Sequence, residues 1–124
     1  MEGKGTMSIR VEWVKCQGDK WCPLQTVDLG HSHFNGTEGV YVIWHAGGSP
    51  ATVRVGQGVI GQRLSAHRLD PEIQRFERLG LYVTWATVAF RHRDGVEAYL
   101  HGQLRPKVGS RYPDAYPIEV NLPR

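Results

Sequence analysis

Only two cysteines, two methionines and no long apolar run occur in this chain, so two common ways of stabilising or anchoring a small protein are missing. A single pair, Cys16 and Cys22, cannot build the multi-bridge framework of a disulfide scaffold, and both are expected as thiols in a reducing compartment. No apolar run approaches the roughly 18 residues that mark a membrane span. The segment MEGKGTMSIR has none of the apolar stretch of a secretion signal. These absences lead to the expectation of a soluble, cytoplasmic protein with no membrane partner. Internal repeats, charge blocks and low-complexity linkers are also missing. A zinc site from Cys16, Cys22, His31 and His33 is not expected, because the C-x5-C spacing fits none of the usual zinc patterns.

What is present fits one globular domain. The chain has 124 residues, 40% of them apolar, and runs such as LGLYVTWATVAF (81–90 and its two leading residues) need burial. Net charge is only +3, but it is unevenly placed. Residues 1–50 carry four Lys/Arg against five Asp/Glu, residues 51–111 carry ten against five, and residues 112–124 carry one against two. The middle segment therefore holds an excess of +5, offset by −1 at each end. Such a concentration suits a polyanion such as nucleic acid, or is simply a solvated basic face.

Hydrophobic patterning predicts an α+β fold, a small, mainly antiparallel sheet flanked by helices with an added N-terminal strand pair. SIRVEWVKC (8–16) and KWCPLQTVDL (20–29) read as that pair around the turn QGDK, with Pro23 marking an edge. Trp13 and Trp21 are expected to pack it onto the sheet. GVYVIWH (39–45) and TVRV (52–55) read as a hairpin across AGGSP. Helices are expected at 58–69, with Ile60 and Leu64 inward, and at 71–79, started by Asp70-Pro71 and ended by Gly80. A strand at 81–90, a helix from Asp94 to about Arg105 stopped by Pro106, and a short strand in 117–123 complete the reading. Trp44 and Trp85 are core candidates. Residues 1–38 are expected to form an extension packed on a domain at 39–124.

The stretch GQGVIG (56–61) matches G-x-G-x-x-G, the turn that cradles a dinucleotide pyrophosphate between a strand and a helix. That fingerprint also needs an acid about 20 residues on, at the tip of the next strand. Glu77 has the spacing but falls in an expected helix, and the following strand ends in ATVAFRHR. The preceding strand reads as half of a hairpin rather than part of a parallel sheet. Nicotinamide binding is therefore not expected, and Gly56 and Gly58 read as relief for a tight strand-to-helix turn.

A wider set of positions explains the region better. Gly39-Val40-Tyr41 stands on one hairpin strand and Arg54-Val55-Gly56 on the other. Arg63 and His67 follow on the next helix, Glu97 on the last helix, and Asn121 near the C-terminus. This ordered set resembles the GIY-YIG nuclease family, with GVY in place of GIY and RVG in place of YIG, over residues 39–121. The resemblance implies a metal-dependent endonuclease that hydrolyses DNA phosphodiester bonds with Mg2+ or Mn2+. It implies that Arg63 contacts the scissile phosphate, Glu97 binds the metal, Tyr41 and His67 position or deprotonate the attacking water, Asn121 supports the site by hydrogen bonds, and Gly56 closes the strand beside it. The family's second tyrosine would stand at position 54, where this chain has Arg54. Arg54 is either a second phosphate contact or the mark of a module on the same fold that binds nucleic acid without cutting it.

The residue types suit that chemistry. An arginine fork bonds two phosphate oxygens. Arg63 and His67 are neighbours at i and i+4. A neutral histidine accepts a proton near pH 7, and Mg2+ takes one or two carboxylates while keeping several waters. Each residue also has a plainer reading. Asp94-Gly95-Val96-Glu97 spans a capping box, which would make Glu97 a helix cap. Tyr41 suits a core strand, Arg63 and His67 a helix surface, and Asn121 a turn. His101 is expected to be solvated, and His45 and His92 have no assigned work. A protein–protein module is a third reading.

Overall fold

Strand β3 (Glu38–His45) shows why GVYVIWH lacks in-out alternation: it is an inner strand of the sheet and is covered on both faces. In this computed structural model, which describes residues 7–109 and 111–123, β3 pairs antiparallel with β4 (Ala51–Val59) on one side and with β5 (Leu81–Thr87) on the other. The two-residue β2 (Cys22–Pro23) adds to the far edge of β5, giving the order β2-β5-β3-β4. Pro23 thus stands on an edge strand, as its missing N–H requires. A bulge between Ile43 and Trp44 shifts the β3–β4 register just before Arg54. The architecture is α+β with a mainly antiparallel sheet, as patterning predicts. Residues 1–6, which include most of the segment expected to lack a leader, lie outside the described residues. No helix among the described residues is long and apolar enough to cross a membrane.

Helix α1 (Ile60–His67) follows β4 without a break and turns Ile60, Leu64 and His67 inward at i, i+4 and i+7. Its start is anchored where the Ile60 N–H donates to the Thr37 carbonyl, 3.0 Å away. Asp70 caps the next helix by accepting from the Glu72 N–H at 2.9 Å, with Pro71 in the first turn. That helix, α2 (Pro71–Gln74), is shorter than the expected 71–79. A 3₁₀ turn at Glu77–Leu79 takes over and ends at Gly80, whose φ of 84° is the left-handed stop.

Helix α3 (Phe90–Leu104) corrects two expectations. It begins four residues before Asp94, and β5 stops at Thr87 instead of 90. No side chain caps the start, so the polar signal that marks most helix N-termini is absent. The Arg93 side chain ties the start down instead, its Nε donating to the Val88 carbonyl at 2.9 Å and its Nη1 to Glu38 at 3.0 Å. Asp94-Gly95 is not a cap. Gly95 lies inside the helix, where a Cβ would come within 2.5 Å of Ile118, and the Ile118 N–H donates to its carbonyl. The glycine admits the C-terminal segment against α3.

The N-terminal reading is corrected as well. Residues 8–16 and 20–29 do not form a hairpin, and only Cys16 and Lys20 bridge. Strand β1 (Ser8–Ile9) instead pairs parallel with β6 (Glu119–Val120), joining the two ends of the chain. The turn at 17–19, with Gly18 and Asp19 both at positive φ, folds the chain back sharply. It brings the Cα atoms of Cys16 and Cys22 to 5.2 Å, and their sulfurs form a disulfide. The expected thiols are therefore absent, and neither sulfur is available to a metal. Trp21 meets Trp44 edge-on at 5.3 Å.

Two apolar clusters sandwich the sheet. Tyr41, Ile43, Val53, Ile60, Leu64 and Trp85, with Leu24 and Phe34 from the N-terminal segment, fill one face. Val40, Val42, Val55, Val96 and Leu100 fill the other. Helices α1 and α3 thus cover opposite faces, and both contact β4. Lys107 and Val108 bond the outer carbonyls of Thr52 and Val53, which covers the β4 edge before Arg54.

Candidate active site

The glycines of GQGVIG are explained by what stands over them. Tyr41 pairs with Gly56 across the hairpin, and a Cβ at Gly56 would lie 2.2 Å from the Tyr41 hydroxyl. Gly58 has φ of 135°, and a Cβ there would lie 3.3 Å from Cγ of Arg63. Gly56 therefore makes room for a phenol within a strand, and Gly58 for an arginine. Strand β4 has only an antiparallel neighbour in this sheet, so the βαβ unit of a dinucleotide fold is not formed. Gly56→Ala is expected to destabilise by about 1–3 kcal/mol through overpacking. A thermal melt would show it, and an unchanged Tm would contradict the position of the phenol.

The hydroxyl of Tyr41 lies 2.5 Å from Nε2 of His67, and both side chains are buried. Burial raises the Tyr41 pKa, against a hydrogen bond and a positive charge from Arg63 and the charge of Arg54. Burial lowers His67 to about 4, helped by the charges of Arg54 and Arg63 and opposed by Asp70. At pH 7 the imidazole is neutral, and in the tautomer that carries its proton on Nδ1 the Nε2 atom accepts from the phenol. The lowered value also sets a stability trend. Between pH 4 and 6.5 the unfolded chain binds the proton that folded His67 refuses, so stability falls as pH drops through that window. The full span is about 3 kcal/mol. Urea melts from pH 7 to 4 on wild type and His67→Gln check this, with a shallower slope expected for the variant.

Glu97 projects from α3 and is 8% exposed. Its pKa is raised, chiefly by burial and also by Asp94, while the Gln57 hydrogen bond, Arg54 and Arg63 pull the other way. The Gln57 amide from β4 donates to Oε1 of Glu97 at 2.9 Å and to Oδ1 of Asp94 at 2.8 Å, bridging the two carboxylates. Nε2 of His101 is 4.0 Å from the other Glu97 oxygen. Because α3 begins at Phe90, Glu97 is in its third turn and cannot be a cap. His101 is buried, not solvated. It stacks on Tyr112 at 5.0 Å, and its pKa is lowered by burial and by Arg54.

Arg54, beside the bulge, acts electrostatically on Tyr41, His67, Glu97 and His101 together. Its Nε is buried without a hydrogen-bond partner, and its guanidinium packs against Gly109. Arg54 and Arg63 are in no ion pair among the described residues. Tyr41, Arg54, Gly56, Arg63, His67 and Glu97 thus converge on the β4 edge from both faces of the sheet.

Asn121 does not join them. Its Oδ1 accepts from the Val11 N–H at 2.8 Å, its Nδ2 donates to the Val11 carbonyl at 3.0 Å, and its own carbonyl accepts from Trp13 Nε1. Among the described residues it makes no hydrogen bond to the cluster, and its role is to clamp the N-terminal segment. Sequence reading missed Gln57, Asp94 and His101 as parts of the site. The i, i+3 and i, i+4 spacing of Asp94, Glu97 and His101 on one helix was a usable signal. Nothing local marked Gln57.

No family model matches the chain, and no curated protein or solved structure matches it.

Proposed function

We propose that this protein is a metal-dependent endonuclease that hydrolyses DNA phosphodiester bonds, on the pattern of the GIY-YIG nucleases. One observation supports this most: a neutral Tyr41–His67 pair, two arginines and a buried carboxylate converge on one open sheet edge. Arg63 and Arg54 are suited to hold a phosphate by paired N–H donors. The phenol oxygen of Tyr41 orients the attacking water and accepts its proton while passing its own to Nε2 of His67. A phosphate bound between the arginines offsets the two charges that depress His67, leaving burial as the main remaining cause and making the imidazole a better base.

Glu97 fits a divalent cation. It is a buried carboxylate with one oxygen held by Gln57, the other facing His101, and no arginine or lysine ion pair among the described residues. Mg2+ or Mn2+ there would stabilise charge on the leaving oxygen. Among the described residues no three His, Cys, Asp or Glu side chains gather into a metal group. The expectation is a single ion that keeps most of its water.

The unpartnered Arg54 Nε and the low basicity of free His67 favour a second reading, a module that binds nucleic acid without cutting. Incubating the protein with supercoiled plasmid in Mg2+, Mn2+ or EDTA separates the two. Metal-dependent nicking supports the nuclease. Salt-sensitive retention without nicking selects the binding module, and neither signal on plasmid or on branched DNA overturns both.

A further inference from the structure

A cleft of about 520 Å³ opens beside the candidate site, between the first residues of β4 and the C-terminal end of α3. Trp21 and Trp44 form one wall and Arg105 and Lys107 the other side, with Pro50 between them in sequence, and among the described residues no acidic one lines it. Both tryptophans are half-exposed. Trp44 is fixed by Trp21 edge-on and by Tyr82 stacked at 6.0 Å, and Lys15 Nζ sits 4.5 Å over the Trp21 ring. The aromatic surface is therefore held by its neighbours, and Arg105 and Lys107 beside it are exposed.

One wall of the cleft leads along the chain to Arg54. Lys107 bonds the Thr52 carbonyl, Val108 bonds Val53, and Gly109 packs on Arg54. From Thr52 to Gly56 along β4 is about 13 Å, a distance that a few nucleotides cover.

We propose that this cleft holds an unpaired DNA strand, with a base stacked on Trp44 or Trp21 and its phosphates on Arg105 and Lys107. Aromatic faces next to cations are the recognition chemistry of single strands, whose bases are free to stack, whereas a duplex keeps its bases stacked on each other. The proposal rests on the nuclease reading and narrows its substrate to duplexes that carry a single-stranded tail or flap.

Fluorescence anisotropy with labelled duplexes tests it, using one blunt duplex, one with a 5′ oligothymidine tail and one with a 3′ tail, in EDTA and at fixed salt. One tailed duplex is expected to bind on the order of 5- to 20-fold more tightly than the blunt one. Trp44→Leu should lose that preference while keeping blunt-duplex affinity. The exposed pair Arg105→Ala/Lys107→Ala should also lose it, and is a check that does not disturb the core. Equal affinity for blunt and tailed duplexes overturns the cleft and leaves the nuclease reading standing. A tail preference that survives both variants overturns its location. No affinity for any DNA overturns both readings.

Discussion

Glu97→Gln is expected to abolish metal-dependent cutting, by on the order of 100- to 1,000-fold, while DNA binding in EDTA and the melting temperature stay nearly intact. The amide keeps the oxygen that accepts from Gln57, so the Gln57 bridge to Asp94 survives. What is lost is a negative charge that burial disfavours, since the pKa of Glu97 is raised chiefly by desolvation. The sign is clear. Folded Glu97 holds its proton to higher pH than the unfolded chain does, so at neutral pH ionisation in the folded state costs stability, and the amide removes that cost. A Tm unchanged or raised, by no more than about 4 °C, follows. A capping role would have required a fall, but Glu97 lies in the third turn of α3, away from its first unpaired N–H groups. Nicking assays and melts on the same preparation decide the matter. Full activity in Glu97→Gln would remove the carboxylate from the proposed chemistry, and a large drop in Tm would make its role structural.

The site was more legible than the segments around it. The hairpin, α1 and the inward face of Ile60 and Leu64 follow from β-branched runs and helical spacing, both local signals. Tyr41, Arg54, Arg63 and His67 therefore fell on the elements where they are found. The start of α3 was misread because its stabilising contacts are long-range. Arg93 reaches back to Val88 and across to Glu38, and no capping side chain announces the turn. Asp94-Gly95 looked like a cap because Gly95 was needed for the approach of Ile118, a contact made from far along the chain. Asn121 was misplaced for the same reason: its partner, Val11, is 110 residues away.

The cysteines teach a related lesson. Two cysteines six residues apart gave no pattern, and the bridge arises because Gly18 and Asp19 turn the chain at positive φ. Disulfides are uncommon in reducing compartments. The bridge therefore overturns the expected thiols, whereas the cytoplasmic expectation rested on the missing secretion signal and membrane span and not on the cysteines.

Arg63→Lys and Arg54→Ala should fail in different ways, and the contrast tests both assignments. Lysine at 63 keeps the positive charge that depresses His67 but loses the planar fork. Activity should fall on the order of 100-fold, mainly in kcat, while an NMR titration still finds His67 near its wild-type pKa of about 4. Alanine at 54 removes a charge that lowers both His67 and His101, so both imidazoles should titrate at higher pH than in wild type. If Arg54 also contacts a phosphate, DNA binding weakens, KM rises on the order of 10-fold, and the slope of log affinity against log salt becomes shallower by about one. Folding should not suffer, since the Nε of Arg54 is buried without a partner and its removal leaves no acceptor stranded. A fully active Arg63→Lys would show that the fork does not touch the scissile phosphate. An Arg54→Ala protein with unchanged salt slope and unchanged histidine titrations would show that the arginine in the tyrosine position neither holds DNA nor tunes the site.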